Sequence, residues 1–329
     1  MYKYIYGPIP TRRLGISLGV DLLVEKICSF NCVYCEVRKS SRLYRERGEY
    51  VPLADVLAEL RDFMGNHPSP DYVTLSGSGE PTLHSGIGEF IRTVKREFPD
   101  VRVAVITNSS MLPLPEVRAE LLAADVVLPS LDGVTEDAFI RIDRPHPAFH
   151  LRDIEKGIAD FCREFHAAGE NKQVWLEVFI VEGINDGDEH TDVLREVCRN
   201  LGVDRIQLNS LDRPGVEDWV KPAPMAVLEH IRERLSLPNT EIIRRSRSRS
   251  DIRSYRTDVE NLILEFASRR PCTLEDLQEV TGLSREEVSR YLDVLEKEKI
   301  VTPEIGGEAG KPAIFYRKNQ ETETNETRK

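Results

Sequence analysis

From Asp21 to about Asn239, short apolar runs alternate with amphipathic segments, which predicts repeated β/α units around a parallel sheet. Candidate strands end near Ile27, Leu75, Ile106, Leu131, Val181 and Leu208. Between them apolar residues fall at helical spacing. Ile87, Phe90, Ile91, Val94 and Phe98 make one stripe, and Leu151, Ile154, Ile158, Phe161 and Phe165 another. Six strands with six helices are too few for a closed eight-fold barrel, so the expected α/β fold is a partial, open (β/α)6 barrel. A polar or glycine-bearing loop follows each strand: Cys28–Cys35, Gly77–Pro81, Thr107–Ser110, Asp132-Gly133, Glu182–Asp186 and Asn209–Gly215. Such barrels build their sites at the C-terminal ends of the strands, so these loops are expected to share one rim.

The pattern changes after Asn239. Residues 242–256 read as a basic linker carrying Arg244, Arg245, Arg247, Arg249 and Arg253. Residues 257–318 then predict a small winged helix-turn-helix domain. Its helical stripes are Val259/Leu262/Ile263/Phe266, Leu274/Leu277/Val280 and Val288/Tyr291/Leu292/Leu295. Gly282 marks the turn, Ser284 with Glu287 forms a capping box, and strands around Ile300-Val301 and Ile314–Tyr316 make the wing. The polar tail, 319–329, is expected to be disordered. Residues 1–241 are expected to form the large domain.

The net charge of −11 does not describe a general nucleic-acid binder, although it leaves room for a defined anionic substrate. The third helix of the small domain carries Arg285, Arg290 and Lys297 against Glu286, Glu287, Asp293 and Glu296. DNA binding relies on neutralising phosphates, so DNA is a poor partner for this helix, and the module is expected to meet a protein or to cap the barrel. The chain has no run of 18 apolar residues and no apolar leader at its start. A cytoplasmic location, where thiols stay reduced, is therefore expected, with no membrane partner.

Three of the six cysteines, Cys28, Cys32 and Cys35, stand in a C-x₃-C-x₂-C array after the first predicted strand. Three thiolates can hold three irons of a [4Fe–4S] cluster and leave the fourth iron open. A structural zinc site would need a fourth Cys or His, and three cysteines do not pair evenly into disulfides. Cys162 and Cys198 continue helical stripes and read as buried small hydrophobes, so no second cluster motif is present.

The segment Cys28-Ser29-Phe30-Asn31-Cys32-Val33-Tyr34-Cys35 resembles the signature of the radical S-adenosylmethionine (SAM) superfamily. Together with Tyr6–Gly15, Gly77–Leu83 and Leu208–Pro214, it resembles the branch grouped with the wybutosine-synthesising tRNA enzyme, over roughly residues 1–240. The resemblance implies a partial barrel, a [4Fe–4S] cluster on the three cysteines and SAM on the open iron. It further implies reductive cleavage of SAM to a 5′-deoxyadenosyl radical, with Tyr34 flanking the adenine. Gly77-Ser78-Gly79-Glu80-Pro81 resembles the superfamily's "GGE" segment, with Ser78 added between the glycines, and implies that Gly77, Gly79 and Glu80 hold the SAM amino group. The chain lacks the extra N-terminal cysteines of the wybutosine enzyme.

Asn108, Ser109 and Asp132 follow strands where related enzymes contact ribose or substrate, but strand-end turn chemistry accounts for them equally. Glu177 is the one acid in the apolar run Val174–Val181, and facing the barrel interior it is expected either to hold SAM or substrate or to form a structural salt bridge. Arg12-Arg13, Arg141–His146 and the basic run Arg38–Arg47 could grip an anion, and a solvated basic surface is the plainer reading for each. The expected function is a radical SAM enzyme acting on tRNA or protein, fed electrons by a donor such as ferredoxin or flavodoxin. Two rivals remain: a cluster-based sensor regulating DNA through its winged helix, and an enzyme acting on a small anionic metabolite.

Overall fold

The computed structural model describes residues 2–11, 13–67, 69–211, 215–243, 255–269, 271–306 and 313–319. The chain divides into two compact units, Met1–Gly65 with Pro70–Arg244, and Asn66–Ser69 with Arg245–Lys329.

The strands of the first unit are β1 (Ile5–Thr11), β2 (Gly15–Val20), β3 (Tyr72–Leu75), β4 (Arg102–Thr107), β5 (Val126–Pro129), β6 (Gln173–Phe179), β7 (Arg205–Asn209) and β8 (Thr240–Ile243). They form one sheet in chain order. The β1–β2 pair is antiparallel, and every pair from β2 to β8 is parallel. With β1 and β8 at opposite ends of that order, the sheet is an open barrel rather than a closed one.

The helices are α1 (Leu53–Asn66), α2 (Ile87–Glu97), α3 (Pro115–Leu121), α4 (Glu136–Asp143), α5 (Leu151–Ala167), α6 (Asp188–Leu201) and α7 (Met225–Leu235). Side chains of a strand alternate between faces, and here the alternation separates two cores. Val73, Leu75, Val103, Val105, Val127, Val174, Leu176 and Leu208 join the stripes of α2 and α5 in the main core. Tyr72, Ala104, Leu128 and Trp175 lie on the other face, clustered with Leu14 from the β1–β2 turn. Cys162 and Cys198 are buried, as their stripes predict.

Two strand expectations need correction. The chain leaves the sheet at Val20, not near Ile27. The Asp21 carboxylate accepts from Leu23 N and Val24 N, and Val24 takes φ 63°, which turns the backbone away. Leu22, Leu23 and Ile27 still enter the core, so a buried loop carries the apolar run of a strand. The sheet also has two strands beyond the expected six. One of them, β8, runs to Ile243, so the linker expected from 242 begins inside a strand. The five linker arginines, Arg12, Asp212–Pro214, Gly307 at the wing and the tail from 320 lie outside the described residues.

The second unit contains α8 (Thr257–Arg269), α9 (Leu274–Thr281), α10 (Arg285–Lys297), β9 (Val301–Gly306) and β10 (Ala313–Lys318). Ser284 and Glu287 form the expected capping box, and Thr273 with Asp276 forms another. Gly282 at φ 67° ends α9 in the left-handed conformation that glycine adopts without penalty. Ile263, Leu277, Val288, Leu292 and Leu295 make this unit's own core. Among the described residues no helix is long and apolar enough to cross a membrane.

Candidate functional site

The loop bearing the three cysteines is fastened from several elements. Tyr44 N donates to Cys28 O at 2.9 Å, Val33 N to Ile142 O at 2.9 Å, and Val216 N to Cys35 O at 3.0 Å. Asn31 N donates to Asp143 O at 3.0 Å. The β3–α2 loop holds it too, because Glu80 N donates to Ile27 O at 3.0 Å. Gly79 makes that approach possible: a Cβ there would stand 1.9 Å from Ile27 O. Such backbone satisfaction gives a long irregular loop one defined shape.

Each thiol has its own polar neighbour. Asn108 Nδ2 lies 3.6 Å from Cys28 Sγ, Lys26 Nζ donates to Cys35 Sγ at 3.0 Å, and Cys32 Sγ donates to Asp143 Oδ1 at 3.5 Å. Burial pushes the Cys28 thiol up to about 11 despite the pull of Lys26. Burial, then the Asp143 carboxylate, pushes Cys32 well above its usual value, with Cys28 and Cys35 adding to it. The thiols therefore share one neighbourhood. Among the described residues no three His, Cys, Asp or Glu side chains gather around a single ion position. A [4Fe–4S] cluster does not ask for that, since each thiolate binds a different iron. Three soft sulfur donors in one neighbourhood fit such a cluster with one iron open.

Gly77 and Glu80 hold the neighbouring loop in shape. Gly77 takes φ 133°, where a Cβ would meet the Asp21 carboxylate, and that carboxylate accepts from Ser78 N at 3.0 Å and Ser78 Oγ at 2.6 Å. Glu80 is buried. Its Oε1 accepts from Thr82 N at 3.0 Å, Thr82 Oγ1 at 2.5 Å and Thr107 Oγ1 at 2.7 Å, and its Oε2 from Asn108 N at 2.6 Å. Burial raises its pKa while these donors pull it down. The side chain thus ties the loop after β3 to the loop after β4, and Oε2, with one donor on it, has a second lone pair.

Asn108 Nδ2 also donates to Ser29 Oγ at 2.8 Å, which places this residue against the cysteine loop. Ser109, by contrast, is fully buried and takes φ 69°. Its hydroxyl donates to Ser130 O at 2.8 Å, so it makes a strand-end turn. Tyr34 stacks on Phe179, with centroids 3.8 Å apart and planes at 9°, and its hydroxyl donates to Asp132 Oδ2 at 2.5 Å. Burial pushes the Asp132 and Asp143 carboxyls upward together, Asp143 further because the Asp132 charge lies beside it.

Glu177 is paired with Arg13, whose guanidinium also donates to Gln207 Oε1 at 2.8 Å. Glu177 and Gln207 are register partners on β6 and β7. The turn of the β1–β2 hairpin therefore reaches the inner face of the sheet, and Arg13 there is an internal cation rather than a solvated one. Arg47 also departs from the solvated reading. It donates to Thr82 O at 2.9 Å and His84 O at 3.2 Å and pairs with Glu120, so it braces the loop after β3. Arg38, Lys39, Arg42 and Arg45 remain exposed, and Arg144 pairs with Glu217 at 2.6 Å.

Sequence reasoning missed Asp21, Lys26, Asp143 and Gln207. Asp21 carried a usable signal, as an acid at the end of a strand facing a glycine turn. The others announce themselves only through partners brought in by the fold.

The family model described as the radical SAM superfamily matches residues 23–194. A UPF0026 protein of Methanocaldococcus jannaschii is 29% identical over 322 residues, covering 95% of each chain. A Brachyspira hyodysenteriae protein named GTPase Obg is 36% identical over 211 residues, which are 64% of this chain and 30% of that one; the chain thus spans less than a third of that relative. In fold, the chain is similar to a radical SAM methyltransferase from Sphaerobacter thermophilus, with TM-score 0.52 and 18% identity over 70% of this chain and 67% of the other. With a cysteine loop whose donors suit a four-iron cluster, and a family match over more than half of its length, the chain belongs to the radical SAM superfamily, whose cofactors are a [4Fe–4S] cluster and SAM.

Proposed function

We propose that this radical SAM enzyme reductively cleaves SAM and uses the resulting radical to modify a larger substrate, a tRNA or a protein. The observation that carries the reading is the meeting of three loops, Cys28–Cys35, Gly77–Glu80 and Thr107–Asn108, joined by the Glu80 and Asn108 side chains. Cys28, Cys32 and Cys35 would hold the cluster. When bound, the cluster supplies one electron to the SAM sulfonium, giving methionine and a 5′-deoxyadenosyl radical.

The chain's own residues then bind and orient. Tyr34, held by Asp132, offers an aromatic edge for the adenine. Gly77 and Gly79 let the backbone come close, and Glu80 Oε2 is the acceptor for the SAM amino group. Asn108 spans the cluster loop and this acceptor, and Glu177 contributes as a charge already held by Arg13. Ser109 shapes the turn behind Asn108. A ferredoxin or flavodoxin is the fitting one-electron donor, and a cytoplasmic setting suits both it and the cluster.

The domain reading is a radical SAM barrel over 1–241 and a winged helix over 257–318. The winged helix is assigned a protein partner rather than DNA. In α10, Arg285 pairs with Glu275 at 2.8 Å, and Arg290 and Lys297 stand among four acids of the same helix, a poor charge balance for meeting phosphate. Anaerobic reconstitution with SAM and dithionite tests the chemistry. 5′-Deoxyadenosine is expected from the wild type and not from Cys32→Ala. A loaded cluster that leaves SAM intact would sink the reading.

A further inference from the structure

Lys26 has no task in the chemistry above, yet its ammonium sits against a thiol. Its Nζ donates to Cys35 Sγ at 3.0 Å, and of the described residues it is the one cation that hydrogen-bonds any of the three cysteines. The placement is not left to a loose loop. Ile27, the next residue, is clamped by Glu80 N at 3.0 Å, and Gly79 packs so tightly on its carbonyl that no side chain fits between them. The other two thiols have different neighbours, the Asn108 amide at Cys28 and the Asp143 carboxyl at Cys32.

We propose that Lys26 sets the electron affinity of the cluster by donating a charged hydrogen bond to the Cys35 sulfur. The inference rests on the ligand assignment above. One electron passes from an external one-electron donor to the cluster, and no bond at Lys26 forms or breaks. Reduction adds a negative charge spread over irons and sulfurs. A neighbouring ammonium therefore favours the reduced form over the oxidised one. Net charge and hydrogen bonds to the sulfurs are among the features that set cluster potentials. Groups that act through a ligand in this way commonly tune a metal centre. Lys26 is thus a positioning and tuning residue rather than a catalytic one.

The rival role for this ammonium is to grip the SAM carboxylate. The two roles separate in the absence of SAM. Wild type, Lys26→Met and Lys26→Gln would be reconstituted anaerobically, matched for iron and sulfide content, and titrated with a one-electron reductant while the reduced-cluster signal is followed by electron paramagnetic resonance.

Lys26→Met is expected to weaken the reduction equilibrium at least tenfold, a potential lower by about 59 mV for one electron. Lys26→Gln, which keeps a donor and loses the charge, should fall between it and the wild type. A Lys26→Met protein with a full cluster and an unchanged potential overturns the proposal. If its SAM affinity falls as well, the ammonium belongs to the SAM carboxylate. Should Lys26→Met take up no cluster, Lys26→Gln decides by the same criterion. A wild type that takes up no cluster sinks the ligand assignment itself, which is a different outcome from an unchanged potential.

Discussion

Gly79 shows how one missing side chain can hold a site together. With its Cβ position 1.9 Å from Ile27 O, Gly79→Ala must push the loop after β3 away from the cysteine loop. Overpacking of this kind costs about 1–3 kcal/mol. The expected result is a protein with native far-ultraviolet dichroism that takes up much less iron per chain than wild type, read by iron and sulfide analysis. His190 supplies a pH dependence away from the cluster. It is 8% exposed, and its Nε2 has no hydrogen-bond partner. Burial lowers its pKa from the usual 6.5, against weaker upward pulls from the Asp132 backbone and the Asp186 carboxylate. Below that value the unfolded chain binds a proton that the folded one refuses, so stability is lost as the pH falls beneath about 6.5. His190→Gln should flatten the slope of urea midpoint against pH between 7.5 and 5.5, leaving the remaining dependence to other groups. The sequence announced Gly79, Glu80 and the cysteines because their motif is local. Asp143 was silent because its partner Cys32 lies 111 positions away, and no spacing rule reaches that far.

The β1–β2 hairpin makes the corresponding point for elements. The helical stripes of α2 and α5 were legible because period 3.6 accumulates over many residues. Strand β1 was not, since Gly7, Pro8 and Pro10 argue against a strand interior, and it is tolerated only because β1 is an edge. The four-residue strand β8 was too short to stand out from the basic segment after it. The hairpin's use is visible at its turn, where Arg13 reaches Glu177 and Gln207 while Leu14 joins the cluster that holds Trp175. The side chains of Arg13 and Glu177 are 21% and 12% exposed, so removing one partner strands the other in poor solvent. Arg13→Met is expected to cost about 3 kcal/mol, the lower end of what breaking a buried pair costs. The double variant Arg13→Met/Glu177→Met should be less damaged than the single one. Denaturant titration of the four proteins in a double-mutant cycle checks this, and an additive loss would show that the pair does not act as a unit.

The whole molecule is built around two main cores that share no residue. One gathers the β-strands and α1 to α7, the other α8 to α10 with β9 and β10. The cofactor-binding residues proposed here all lie in the first unit, so a defect confined to the second core should spare the cluster. Leu277 is fully buried in that second core. Truncating such a leucine leaves a cavity worth about 2–5 kcal/mol, a large share of what a domain of this size has to lose. Leu277→Ala is therefore expected to lower a thermal transition in scanning calorimetry while iron content stays at the wild-type level. Cluster loading should act in the opposite sense. A ligand that binds only the folded first unit raises that unit's transition by mass action and leaves the other where it was. A single transition that shifts both on Leu277→Ala and on cluster loading would mean that the two cores unfold together. Two transitions, each answering to its own treatment, are the expected outcome, because each core is buried by its own elements.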